Sequence, residues 1–205
     1  MIVIVDFGLG NLGSIKNMLK KIGVSAQITS DPNLVREANR IVLPGVGHYD
    51  QAVLNLTAKD LWPALEFAVC KRAVPTLGVC LGMQLLLEKS EEGHSPGFGW
   101  IKGECRKFIF SDKDKFKVPH MGWSFLRISK TDPLFLGLEQ EARFYFVHSY
   151  YGVLRDTSEV AAWCDYGGEF AAAIIKNNIL GVQFHPEKSH RYGMRLLQNF
   201  VEWKP

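Results

Sequence analysis

The first half of the chain alternates short apolar runs with helix-period stretches, and few architectures accept that pattern. Ile2–Val5, Ala26–Thr29, Ile41–Leu43 and Val74–Leu77 read as strands. Between them, Ile15, Met18, Leu19 and Ile22 recur at i, i+3, i+4 and i+7 before Gly23 stops the helix. Asp31–Pro32 opens a short helix, with aspartate as N-cap and proline at the first helical position. A further helical stretch runs through Trp62, Leu65, Phe67 and Ala68, and Leu81 onward is helical again. Strand, covering helix and parallel strand, repeated, build an open parallel sheet with helices on both faces.

From about Gly99 the pattern changes. Strand-like segments at Lys107–Phe110, Phe125–Ile128, Arg143–Val147, Val160–Cys164, Ala171–Ile175 and Leu180–Phe184 are separated by turns such as Lys176–Asn177–Asn178. A last helix spans Tyr192 to Val201. The spacing predicts an α/β fold: an open, mostly parallel sheet with helices on both faces plus an antiparallel β extension. With no linker, repeat or low-complexity tract, residues 1–205 are expected to form one domain.

Composition narrows the function classes. At 47% hydrophobic and 22% charged residues, the chain is neither disordered nor a polytopic membrane protein. A net charge of +3 without a basic run gives no nucleic-acid footprint. Cys70, Cys80, Cys105 and Cys164 lie far apart, with neither a CxxC pair nor metal-ligand spacing. Thiols so spread fit a reducing cytoplasm, and the first strand meets Asp6 too early to be a signal peptide. Cys70, Cys105 and Cys164 read as core thiols, and Trp100 and Trp163 as packing residues. His94, His120 and His190 read as surface or interface residues, and no metal or cofactor is expected.

Three segments carry chemistry. Gly78-Val79-Cys80-Leu81-Gly82 stands between a strand and a helix, a G-x-nucleophile-x-G elbow with cysteine as nucleophile. Such a turn strains the nucleophile's backbone, and its glycines let helix and strand pack closely. The sulfur then sits at a helix N-terminus, with the Leu81 N–H aimed where an oxyanion would form. A lone cysteine is otherwise commonly a core residue. Ile179–Phe184 leads into His185-Pro186-Glu187, where extended backbone would place His185 and Glu187 on one side as base and orienter. Pro44-Gly45-Val46-Gly47 ends a third strand and offers a second backbone donor through Val46 or Gly47, or is an ordinary turn. Gly8-Leu9-Gly10-Asn11-Leu12-Gly13 competes with this reading as a dinucleotide-binding fingerprint, with Asp31 as the ribose-binding acid. Asp31 is equally explained as an N-cap, and that reading leaves the elbow and His-Pro-Glu unused.

Taken with Pro119-His120-Met121-Gly122-Trp123 and Phe146-Val147-His148-Ser149-Tyr150, these segments make the whole chain resemble the class I, triad-type glutamine amidotransferases. More narrowly, it resembles the glutaminase subunits of imidazole glycerol phosphate synthases. The resemblance implies a flavodoxin-like fold and a Cys80–His185–Glu187 triad. It implies an oxyanion hole from Leu81, Val46 and Gly47, and glutamine held by Gln84, His148, Ser149 and Tyr150. It also implies a heterodimer with a (β/α)8 cyclase that receives the ammonia, docked over Asn11, Pro119, Met121, Trp123 and Lys188. Ser124 departs from the family's usual asparagine after Gly-Trp. The chain also resembles paralogous subunits that feed ammonia to enzymes amidating surface-polysaccharide sugars. An inactive, glutaminase-like binding module is the non-enzymatic alternative, disfavoured because each triad position carries a competent side chain.

Overall fold

The computed structural model describes residues 1–112, 114–129, 133–138 and 142–205. Five strands form a parallel core: β1 (Ile2–Val5), β2 (Ala26–Thr29), β3 (Arg40–Leu43), β4 (Thr76–Val79) and, from the far end of the chain, β13 (Ile179–Val182). They lie in the order β2-β1-β3-β4-β13. Alternation along β1 sends Ile2 and Ile4 into one core and Val3 and Val5 into the other. The first core takes Leu19 of α1 (Leu12–Lys21) and Leu197 and Phe200 of α6 (His190–Glu202). The second takes Leu56 of α3 (Tyr49–Ala58), Leu65 of α4 (Leu61–Glu66) and Met83 of α5 (Leu81–Leu85). Each fully buried Ile, Val or Leu contributes about 1.5–3 kcal/mol, so the sheet is fixed from both faces.

The sheet continues antiparallel. β12 (Glu169–Lys176) pairs with β13 in the register Ile174↔Gly181, followed by β10 (Tyr150–Leu154) and β6 (Gly103–Lys107), and the two-residue β5 (Lys89–Ser90) closes the edge parallel to β6. β11 (Val160–Asp165) joins β12, and β8 (Arg127–Ile128) joins β11. A separate ribbon pairs β7 (His120–Phe125) with β9 (Arg143–His148).

Strands β1 to β4, both helical faces and the antiparallel extension agree with the sequence reading, but the segment at Leu180–Phe184, grouped there with the extension, instead completes the parallel core as β13 beside β4. Several details differ. The strand expected at Lys107–Phe110 lies earlier, at Gly103–Lys107, and the one at Phe125–Ile128 is divided between β7 and β8. β13 stops at Val182, because His185 N–H turns away to donate to the Tyr145 carbonyl at 2.9 Å. Helix α3 has no counterpart in the sequence reading, and the stretch through Phe67 and Ala68 breaks into α4 and a π-type turn at Phe67–Lys71. Asp31 caps α2 (Pro32–Glu37) by accepting the Asn33 N–H at 2.8 Å, which occupies the carboxylate that the dinucleotide reading needed. Cys70 is exposed rather than core, whereas Cys105 and Cys164 are buried. His120 is buried rather than at the surface.

Candidate active site

The register that pairs Val79 with Val182 makes the next residues, Cys80 and Gln183, leave neighbouring strands side by side. Cys80 has φ +53° and ψ −108°, a left-handed conformation costly for a residue with a Cβ. Its N–H donates to Val182 O at 2.8 Å, and packing around it is tight. A Cβ on Gly82 would lie 1.8 Å from the Leu43 carbonyl oxygen, and one on Gly78 2.7 Å from that of Gly82. Both glycines of the elbow are therefore demanded by backbone contact.

His185 and Glu187 meet by a route other than strand alternation. Pro186–Lys188 forms one 3₁₀ turn, and its geometry brings His185 Nδ1 to 2.7 Å from Glu187 Oε1. Ser189 Oγ donates to the His185 carbonyl and Tyr145 N–H donates to Ser189 Oγ, which ties the turn to β9. His185 is 1% exposed. Burial opposes its charged form, but the hydrogen bond to Glu187 and the neighbouring charges of Cys80 and Glu187 outweigh burial and raise its pKa to about 10. Its Nε2 is buried without a hydrogen-bond partner among the described residues.

A cavity of about 460 Å³ opens over Cys80, within the range of small-molecule sites. Val46, Gly47, Leu81, Gln84, His148, Ser149, Tyr150, Pro119 and Lys188 all line it, so ten of the residues singled out from sequence, Cys80 included, converge on one space. Asn11, Met121 and Trp123 lie outside it. Asn11 caps α1 through the Ser14 N–H, while Met121 and Trp123 are exposed on β7. Trp123 stacks on His190, and Lys188 Nζ sits 5.6 Å from the centre of the Tyr145 ring.

Two placements differ from the sequence reading. The Leu81 N–H is not free: it donates to the Gly45 carbonyl at 3.4 Å, because the glycine lets the β3 loop approach until a Cβ there would lie 2.8 Å from Leu81 Cβ. The side-chain amide of Gln84 is directed at protein, donating to the Tyr150 carbonyl at 3.1 Å and to Gln183 Oε1 at 3.2 Å.

Three residues of the site escaped sequence reasoning. Glu92 also lines the cavity; it accepts the Tyr49 N–H at 3.0 Å, and burial raises its carboxyl pKa against that bond. Its loop is anchored by Asp50, which accepts the N–H groups of His94 and Ser95. Gln183, fully buried, donates to Cys80 Sγ at 3.6 Å. His120 bonds His148 at 3.1 Å and Ser124 Oγ at 2.9 Å. Only the position of Gln183 two residues before His185 was a usable signal. Among the described residues, no group of His, Cys, Asp and Glu could hold a metal, and no helix is long and apolar enough to cross a membrane.

The family model for class-I glutamine amidotransferases matches residues 3–203, and the chain belongs to that family of glutamine-using enzymes. It is 48% identical over 202 residues to imidazole glycerol phosphate synthase subunit HisH 2 of Methanococcus maripaludis, covering 98% of this chain and 99% of that one. It is 43% identical to the subunit of the same name from Pseudomonas aeruginosa, with the same coverage. The fold is shared with the structure of PurLQS from Thermotoga maritima, with a TM-score of 0.74 at 19% identity over 98% of this chain and 97% of that one.

Proposed function

We propose that this chain is the glutaminase subunit of an imidazole glycerol phosphate synthase, hydrolysing glutamine and passing ammonia to a cyclase subunit in histidine biosynthesis. The observation that carries the mechanism is the buried 2.7 Å His185–Glu187 pair acting on Cys80, which lines the cavity. The names and near-complete coverage of the relatives support the pathway.

The Cys80 thiol passes its proton to His185 Nε2 and its sulfur attacks the side-chain carbonyl carbon of glutamine; a backbone N–H of the Val46–Gly47 loop, and that of Leu81 once released from the Gly45 carbonyl, hold the oxyanion. Collapse breaks the C–N bond, and the proton on His185 Nε2 goes to the departing nitrogen, which leaves as ammonia. Water then gives its proton to His185 and attacks the γ-glutamyl thioester, releasing glutamate and restoring the sulfur. Glu187 keeps the imidazole in one orientation and stabilises its charge. Glu92 is the one carboxylate lining the cavity among the described residues, and it balances the α-ammonium of glutamine. His148, Ser149 and Tyr150 bound the same space.

Ammonia released to water is protonated and diluted, so the activity is useful only beside an acceptor. Asn11, Pro119, Met121, Trp123 and Lys188 form the face on which a (β/α)8 cyclase docks, giving a heterodimer in the cytoplasm. Exposed Met121, Trp123 and Phe125 alternate along β7 and supply apolar surface for it. The test is glutamate release by the chain alone and with a purified cyclase subunit, with Cys80→Ala as control. Strong stimulation by the cyclase, abolished in Cys80→Ala, is expected. Stimulation only by a sugar-amidating partner would overturn the pathway, and release retained by Cys80→Ala would overturn the nucleophile.

A further inference from the structure

Directional hydrogen bonds can be followed outward from one atom that only accepts, the carbonyl oxygen of Tyr150. It receives an N–H from Gln84 Nε2 at 3.1 Å and one from His148 Nδ1 at 2.8 Å. The second N–H of Gln84 Nε2 is then given to Gln183 Oε1 at 3.2 Å. With its oxygen turned to Gln84, the Gln183 amide has its NH₂ group facing Cys80 Sγ, 3.6 Å away. Reversing the Gln183 amide would set NH₂ against NH₂ and oxygen against sulfur, so the chain admits one orientation.

The other branch is equally determined. His148 gives its Nδ1–H to Tyr150, so its Nε2 accepts from His120 Nδ1, and His120 Nε2 accepts the hydroxyl hydrogen of Ser124. Burial keeps both rings in the neutral form that this pattern requires. Ser124 lies on β7 between exposed Trp123 and Phe125.

We propose that Gln183 is a catalytic residue, a fixed N–H donor to the reacting sulfur of Cys80, held in that role by the hydrogen-bond chain from Ser124 through His120, His148, the Tyr150 carbonyl and Gln84. This rests on the glutaminase reading. Cys80 is at a strained φ, and His185 Nε2 makes no hydrogen bond among the described residues, so the non-titrating N–H of Gln183 fixes the sulfur's position and stabilises its negative charge. A hydrogen bond to a charged group is about twice as strong as a neutral one, so the contribution grows as the sulfur becomes anionic.

The test compares wild type with Gln183→Met, which fills the space without a donor, and Gln183→Glu, which keeps the shape and reverses the polarity toward sulfur. The first readout is the pH profile of Cys80 alkylation by iodoacetamide, followed at the Cys80 peptide by mass spectrometry so that exposed Cys70 does not interfere. The second is the steady-state glutaminase rate of the complex with its cyclase. In both variants the alkylation profile is expected to move to higher pH. The kcat is expected to fall about 10- to 100-fold, with the glutamine KM within about threefold. A folded variant with unchanged profile and kcat overturns the proposal. If Gln183→Met does not fold, Gln183→Glu alone decides. Glutamate release retained by Cys80→Ala removes the glutaminase reading itself and this role with it, an outcome distinct from an unchanged Gln183 variant.

Discussion

The backbone N–H of Leu81 donates to the carbonyl of Gly45 across 3.4 Å, so a donor placed to hold an oxyanion is spent on the loop after β3. A long bond of this kind is weak, and turning one peptide of the Pro44–Gly47 loop would release it. Removal of one oxyanion donor costs about 10²- to 10³-fold in kcat. The isolated chain is therefore expected to release glutamate at about one hundredth of the complex's rate or less, measured by a coupled glutamate assay. Equal rates with and without the partner would show that this contact does not limit the chemistry.

The His185–Glu187 pair also sets an alkaline limit to stability. The pKa of His185 is raised to about 10 in the fold, against about 6.5 in an unfolded chain. Between those values the folded state holds a proton that the unfolded state has lost. The contribution is thus complete below about pH 6.5 and is lost as pH rises toward about 10, with a slope of up to ~1.4 kcal/mol per pH unit. Urea denaturation at pH 7, 8 and 9 is expected to show a shallower slope for His185→Gln than for wild type. Parallel slopes would mean that His185 is neutral in the fold.

His120 and His148 act in the opposite direction. Burial lowers their pKa values to about 4 and about 3, with a neighbouring imidazole adding to the effect at His148. Below about pH 6.5 the unfolded chain takes up protons that the folded chain refuses, so stability is lost as pH falls toward 4. His120→Asn removes one such group, and its urea midpoint is expected to fall less between pH 6.5 and 4.5 than that of wild type. An identical acid profile would mean that His120 is already protonated in the fold.

Glu92 should separate binding from chemistry. Glu92→Gln keeps the acceptor for the Tyr49 N–H but removes the charge facing the cavity. The expected result is a glutamine KM raised about 10- to 100-fold, the value of a lost charged hydrogen bond, with kcat within about threefold. An unchanged KM would remove Glu92 from substrate binding.

Much of this molecule is written locally. The apolar runs of β1 to β4, the periodicity of α1 and the Asp31–Pro32 cap follow from the amphipathic pattern and from turn chemistry, so they are legible residue by residue. The elbow is legible for the same reason: glycines at 78 and 82 are demanded by contacts of 2.7 and 1.8 Å that any Cβ there would make with backbone. Helix α3 was hidden because its buried positions, Tyr49, Ala52 and Leu56, include only one large aliphatic residue, and β10 because Tyr150–Leu154 contains a central glycine.

By itself the sequence determined strands β1 to β4, the glycine-flanked elbow at Cys80 and the His-Pro-Glu segment, since each depends on residues close together in the chain. Tertiary structure alone decided that Gln183 faces sulfur, that His120 is buried against His148, that Glu92 enters the cavity and that Gly45 occupies the Leu81 N–H. A polar side chain has no direction until it has a partner. These partners, 28 to 103 residues apart for the His120–His148 and Cys80–Gln183 bonds, exist only once the strands have set their register.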